Sequence, residues 1–170
     1  MKPFSLVDFV RESNLIERIA RAPRSFEVEA HEQFLALVHP RVEDLEAFVQ
    51  AIQPRAAYDA AIANRLRTEA WMNVTVGGHT APRGGPNVRT ELEHVLLRGT
   101  ASGGWTAHYA AFTQHVMFER LHPFMDGNGR AGRVLWLHTM GGIAQAPRGF
   151  LTHFYFQALS ETGRSEAKGL

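Results

Sequence analysis

Between His122 and Arg133 the chain reads HPFMDGNGRAGR: one histidine, one carboxylate, three glycines, one asparagine and two arginines in twelve residues. Each type has a use in phosphate chemistry. Gly127 and Gly129 can take backbone angles that bulkier residues avoid, so successive N–H groups can point into one concavity. Placed at a helix start, such a nest gains the partial positive charge of the helix dipole, which favours phosphate. Arg130 and Arg133 are three apart and share a helical face, which would converge two guanidinium forks on one volume. Asp126 is explained in so basic a loop if it holds a divalent cation, since magnesium is commonly bound by one or two carboxylates together with substrate phosphates. His122, with a pKa ordinarily near neutrality, can take a proton from an attacking hydroxyl. The competing reading of GNGR is a helix cap with a solvated face. An internal control separates the two: His39-Pro40 is followed by Arg41, Val42, Glu43 and Asp44, with no glycine and no cradle, and reads as a helix entry only.

Positioning such a loop requires a scaffold, and the periodicity predicts helices. Val42, Leu45, Phe48, Val49 and Ile52 recur at three- and four-residue spacing behind Pro40, giving an amphipathic helix ended near Pro54. Leu92, Val95 and Leu96 continue the pattern, and Trp105 to Leu121 follows with Ala111, Phe112, His115, Val116 and Phe118 as its expected buried residues. Ala131 to Met140 and Phe150 to Leu159 supply two more helices. At residues 71–86, WMNVTVGGHTAPRGGP, the period changes to two and breaks at Gly77-Gly78, predicting a β-hairpin that projects from the helical body. His108 and His115 lie seven apart on one helix, but no third ligand of suitable spacing accompanies them, so neutral core histidines are expected rather than a metal site.

Composition bounds the rest. The 170 residues are the size of one domain, with no repeat or linker to divide them, and residues 1–170 are read as a single unit. A formal net charge of +1, with acids and bases interspersed, gives no general attraction for nucleic acid or an anionic membrane. Lys2 and Lys168 are the only lysines, so a phosphate site in the body must use arginine and backbone N–H groups, and a P-loop is excluded. The absence of cysteine excludes disulfides and thiolate chemistry. Neither a secretory h-region nor a bilayer-spanning apolar stretch is present, and a cytoplasmic location is expected, with delivery into another cell left open.

His122 to Arg133 matches HPFx(D/E)GNGRxxR at every fixed position and so resembles the Fic-domain proteins, over roughly Arg41 to Leu159. The resemblance implies an all-α fold, a helical bundle with a β-hairpin flap. It implies a protein adenylyltransferase that moves AMP from ATP, with Mg²⁺, to a Ser, Thr or Tyr hydroxyl of a target protein and releases pyrophosphate. By that resemblance His122 is the general base and Asp126 the Mg²⁺ ligand. Gly127, Asn128, Gly129 and Arg130 form the phosphate nest, and Arg133 reaches the γ-phosphate. Val74, Thr75, Val76 and Gly77 lie in the flap on which the target docks by strand addition, and Tyr155 and Phe156 resemble the aromatic pair of the adenine pocket. Residues 1–25 resemble an inhibitory helix of pattern (S/T)xxxE(G/N), with Ser13 and Glu17 at its fixed positions and Glu17 expected to pair with Arg133. Arg18 departs from that pattern, being large and charged where glycine or asparagine is usual. An ordinary amphipathic helix with an exposed Glu17 is the alternative there. Other readings kept open are transfer of UMP, GMP or phosphocholine, removal of AMP supported by the same glutamate, and a non-catalytic nucleotide-sensing module. The sequence does not choose between monomer and homo-oligomer.

Overall fold

The first helix starts at a capping box. The Ser5 hydroxyl accepts the Asp8 N–H at 3.2 Å and the Asp8 carboxylate accepts the Ser5 N–H at 3.0 Å, so two otherwise orphaned donors are satisfied together. This helix, α1, runs Leu6–Ile16. It stops where Arg18 turns left-handed at φ 61°. There Arg18 N–H donates to Leu15 O at 3.0 Å and Ile19 N–H to Asn14 O at 2.9 Å, the paired bonds of a Schellman stop. Glycine and asparagine suit that left-handed position because they carry little steric penalty there. Arg18 takes the conformation anyway, so the helix end forms despite the departure from the pattern.

The structure, a computed structural model, describes residues 4–52, 64–76, 78–100 and 105–145. Within them, α1 is followed by α2 (Ser25–Leu35), α3 (Val42–Ile52), strands β1 (Thr75–Val76) and β2 (His79–Thr80), α4 (Asn87–Leu97), α5 (Trp105–Leu121) and α6 (Asn128–Thr139). The fold is therefore all-α with one small antiparallel hairpin, in register Thr75↔Thr80 and Val76↔His79. Among the described residues of the expected 71–86 hairpin, four are paired strand. Gly77, the helix expected at Phe150 to Leu159, Tyr155 and Phe156 lie outside the described residues.

Helix α3 buries the five residues its spacing marks, Val42, Leu45, Phe48, Val49 and Ile52. They join Leu92 and Val95 of α4, Phe118 of α5, and Val134 and Leu135 of α6 in one core. A second cluster packs Phe9 of α1 against Ala111 of α5 and Trp136 and Leu137 of α6. Among the described residues the most extensive helix–helix packing joins α5, which ends just before the HPFMDGNGRAGR segment, to α6, which begins within it. Helix α5 departs from expectation at three places: Phe112 is 39% exposed, Val116 is half-buried, and His108 is exposed whereas His115 is buried. His115 is a core histidine, its Nδ1 3.1 Å from Gly132 O, with burial pushing its pKa down to about 4. No helix among the described residues is long and apolar enough to cross a membrane.

Candidate active site

Helix α5 ends one residue before His122, whose N–H still donates to Phe118 O at 2.8 Å. His122 then adopts φ 47°, a left-handed turn that an L-residue takes only when its surroundings enforce it. The enforcing residue is Arg67, fully buried and absent from the sequence reading. Its guanidinium donates to His122 O at 2.7 Å, Leu121 O at 2.7 Å, Met72 O at 3.0 Å and Pro82 O at 2.9 Å. A delocalised cation thus satisfies the orphaned carbonyls at the end of α5, where the helix dipole is negative, and ties both sides of the hairpin's base to them. Backbone pairing completes the clamp: Arg67 N–H to Pro123 O at 2.9 Å and Met125 N–H to Arg65 O at 3.0 Å.

Asn128 closes the loop from its other end. Its side chain accepts Phe124 N–H at 2.8 Å and donates to Phe124 O at 2.7 Å, so it acts as a brace between the loop and the start of α6. Gly127 sits at φ 80° as the N-cap of α6, the left-handed position anticipated for a glycine. The Asp126 carboxylate accepts the Gly127 N–H at 2.6 Å. A cavity of about 280 Å³ opens over this helix start, lined by Glu17, Val74, Thr75, Val76, His122 and Met125 to Gly129. The hairpin is held over it by His79, whose Nε2 lies 2.9 Å from Arg120 O.

His122 is 7% exposed, and burial pushes its pKa down to about 4, helped by the charge of Arg67. At neutral pH its ring is therefore uncharged, the form that can accept a proton. Nδ1 is the buried nitrogen and makes no hydrogen bond, which leaves Nε2 on the cavity side.

The two arginines of the loop do not converge on one volume. Arg133 points to α1: Nε donates to Ser13 Oγ at 2.8 Å, and Nη2 to Ser13 O at 3.1 Å and to Glu17 Oε1 at 2.5 Å. Arg130 points into the core, where Nη1 donates to Ile52 O at 3.2 Å and lies 4.0 Å from Glu27 Oε1. The shared helical face read from their spacing is real, but packed partners pull the two long side chains apart. Glu27 is a second residue that the sequence reading missed. Buried on α2, it accepts Asn14 Nδ2 at 3.1 Å, Arg21 Nη1 at 2.6 Å and the Arg24 N–H at 2.7 Å, and so docks α1 against α2. Burial would raise its pKa, but these donors together hold it below the usual carboxylate range. Ser13, Glu17 and Arg133 are thus brought together with His122 and the loop, while Arg130 stands behind them.

Residues 41–140 match the Fic/DOC family, more than half of the chain, and the chain belongs to that family. It is also similar to a Drosophila virilis protein named protein adenylyltransferase Fic, at 39% identity over 66 residues. That stretch covers 36% of this chain and 13% of the relative.

Proposed function

We propose that this chain transfers AMP from ATP to a hydroxyl of a protein substrate and that Glu17 restrains the reaction. One juxtaposition carries the reading: a neutral, buried His122 facing the same cavity as the N-terminus of α6 and Asp126. The hydroxyl oxygen attacks the α-phosphorus as its proton passes to His122 Nε2. The bond from the α-phosphorus to the pyrophosphate oxygen breaks, and pyrophosphate leaves. The backbone N–H groups that open α6 meet the negative charge of the phosphates.

The donor set suits Mg²⁺. Asp126 is a single exposed carboxylate beside the nest, and no group of three or more His, Cys, Asp or Glu that could hold an ion occurs among the described residues. A hard cation there would be shared between Asp126 and substrate phosphates, where it would offset phosphate charge. Thr75 and Val76 at the hairpin offer backbone for strand addition, which would draw a target segment alongside His122.

Restraint by Glu17 is supported by its ion pair with Arg133 and by its position over the helix start, where a Cβ added at Gly129 would collide with Glu17 Oε1. A carboxylate there occupies an anion site and engages the cation a phosphate needs. ATP labelled at the α- or the γ-phosphorus, incubated with Mg²⁺, Glu17→Gly protein and a cell lysate, distinguishes the transferred group. The reading requires α-label on protein and γ-label in pyrophosphate; γ-label on protein would make the chain a kinase and overturn it. Parallel reactions with UTP, GTP and CDP-choline establish the donor.

A further inference from the structure

Glu119 lies on α5 one turn before His122, is 1% exposed, and neither of its carboxyl oxygens makes a hydrogen bond. Burial pushes its pKa up to about 8, with the Arg133 charge opposing and Glu17 adding to the rise. An unsatisfied carboxyl so deep in a fold is costly, and perturbed buried groups of this kind cluster at functional sites. Two neighbours indicate what it serves. Glu119 Oε2 is 3.9 Å from His122 Nδ1, the ring nitrogen that is buried and makes no hydrogen bond. On α6, a Cβ added at Gly132 would collide with Glu119 Oε1, so the glycine keeps open the space in which the carboxyl sits. His122, at the left-handed turn that follows α5, thus has its ring within reach of the last turn of that helix.

We infer that Glu119 is the positioning residue for His122: its carboxyl receives the Nδ1–H and so fixes the tautomer in which Nε2, on the cavity side, is the proton acceptor. Catalytic hydrogen bonds in ligand-free sites are often long and close on binding, so an approach of about 1 Å is all that the 3.9 Å separation requires. Either protonation state of the carboxyl offers an acceptor oxygen, and the ionised one also offsets the imidazolium that forms when Nε2 takes the substrate proton. The Glu119 main-chain carbonyl also favours the protonated ring and is the competing acceptor. His115, Arg133, Glu17, Arg67 and His79 are the other titratable or charged groups nearby, and none of the hydrogen bonds they form reaches Nδ1.

The inference rests on His122 acting as the base, and its test has one readout that needs no turnover. Long-range ¹H–¹⁵N spectra of the imidazoles are recorded for the Glu17→Gly chain and for the same chain carrying Glu119→Leu or the isosteric Glu119→Gln, each with and without α,β-methylene-ATP and Mg²⁺. His122 should be the Nδ1–H tautomer in the parent and gain Nε2–H character in Glu119→Leu. In turnover, kcat should fall about 10- to 100-fold, the range for removing a group that orients a reacting one, with KM for ATP within about two-fold. Melting temperature should not fall, because the lost carboxyl had no hydrogen bond. An unchanged tautomer in both variants would overturn the inference and assign the role to the main-chain carbonyl. A lowered melting temperature with an unchanged tautomer would make Glu119 structural only. Transfer that persists in His122→Gln would sink the proposed function instead, and the spectra would still decide what Glu119 does.

Discussion

Replacing Arg18 with glycine should stabilise the protein, and the amount follows from one dihedral angle. Arg18 holds φ 61° at the Schellman stop of α1, is exposed, and makes no side-chain hydrogen bond or ion pair among the described residues. A Cβ in the left-handed region costs about 1–2 kcal/mol. Glycine removes that cost but adds backbone freedom to the unfolded chain, worth about 0.4–1 kcal/mol against the fold. The net gain is therefore about 0–1.6 kcal/mol, centred on about 0.8 kcal/mol, or about 2 °C in melting temperature for a domain of this size. Arg18→Ala keeps the Cβ and removes only the charge, so it should match wild type within about 0.3 kcal/mol. Urea denaturation of the three proteins measures the difference. If Arg18→Gly is no more stable than Arg18→Ala, the strain argument fails. Under the proposed restraint a firmer end to α1 also holds Glu17 more tightly, so Arg18→Gly should lower basal transfer while Arg18→Ala leaves it alone.

Arg67→Lys can replace at most three of the four carbonyl contacts and cannot reproduce their planar spread, so stability should fall by about 3 kcal/mol, read from the urea midpoint. Gly84→Ala should destabilise by about 1–3 kcal/mol because its Cβ would collide with the main-chain oxygens of Glu69 and Met72, which cannot move aside, whereas Gly78→Ala meets nothing within 4 Å and should be silent in the same melt. Stability should also depend on pH with a determined sign. His31, His115 and His122 have folded pKa values of about 4 against 6.5 unfolded, so their contribution is complete above pH 6.5 and is lost as pH falls towards 4, at up to about 1.4 kcal/mol per unit for each ring. Glu119, about 8 folded against 4.5 unfolded, acts oppositely: stability drains as pH rises from 4.5 to 8. The urea midpoint should therefore peak near pH 6.5, and Glu119→Gln should abolish the decline above it.

Legibility in the sequence tracked how local each feature is. The bounds of α3 follow from its own apolar spacing, and Gly127 at φ 80° follows from a turn that demands glycine. Helix α2 was missed because two of its four buried residues, Glu27 and His31, are polar and break the apolar period; Asn14, Arg21 and Arg24 satisfy Glu27, and His31 Nδ1 lies 2.7 Å from Glu27 O while its Nε2 has no hydrogen-bond partner among the described residues. Arg67 stands 55 residues before the carbonyl of His122 that it caps, and nothing next to it in the chain marks it. Glu119 is hidden differently, as one acid within a helix whose other face is solvated; only the approach of Gly132 from α6 reveals its burial. The pairing of Glu17 with Arg133 is what the resemblance of Ser13-xxx-Glu17 to the inhibitory pattern implies, not something the spacing shows by itself; Arg18, which departs from that pattern, still takes the left-handed turn at the end of α1.

The most direct test of the account is the rate at which α-labelled phosphate from ATP enters protein in three chains: wild type, Glu17→Gly, and Glu17→Gly with His122→Ala. The account predicts little label in the first, at least a ten-fold rise in the second, consistent with freeing one buried cationic partner at about 1.4 kcal/mol or more, and background in the third. Equal labelling of the second and third would contradict the role of His122, and equal labelling of the first and second would contradict the restraint by Glu17.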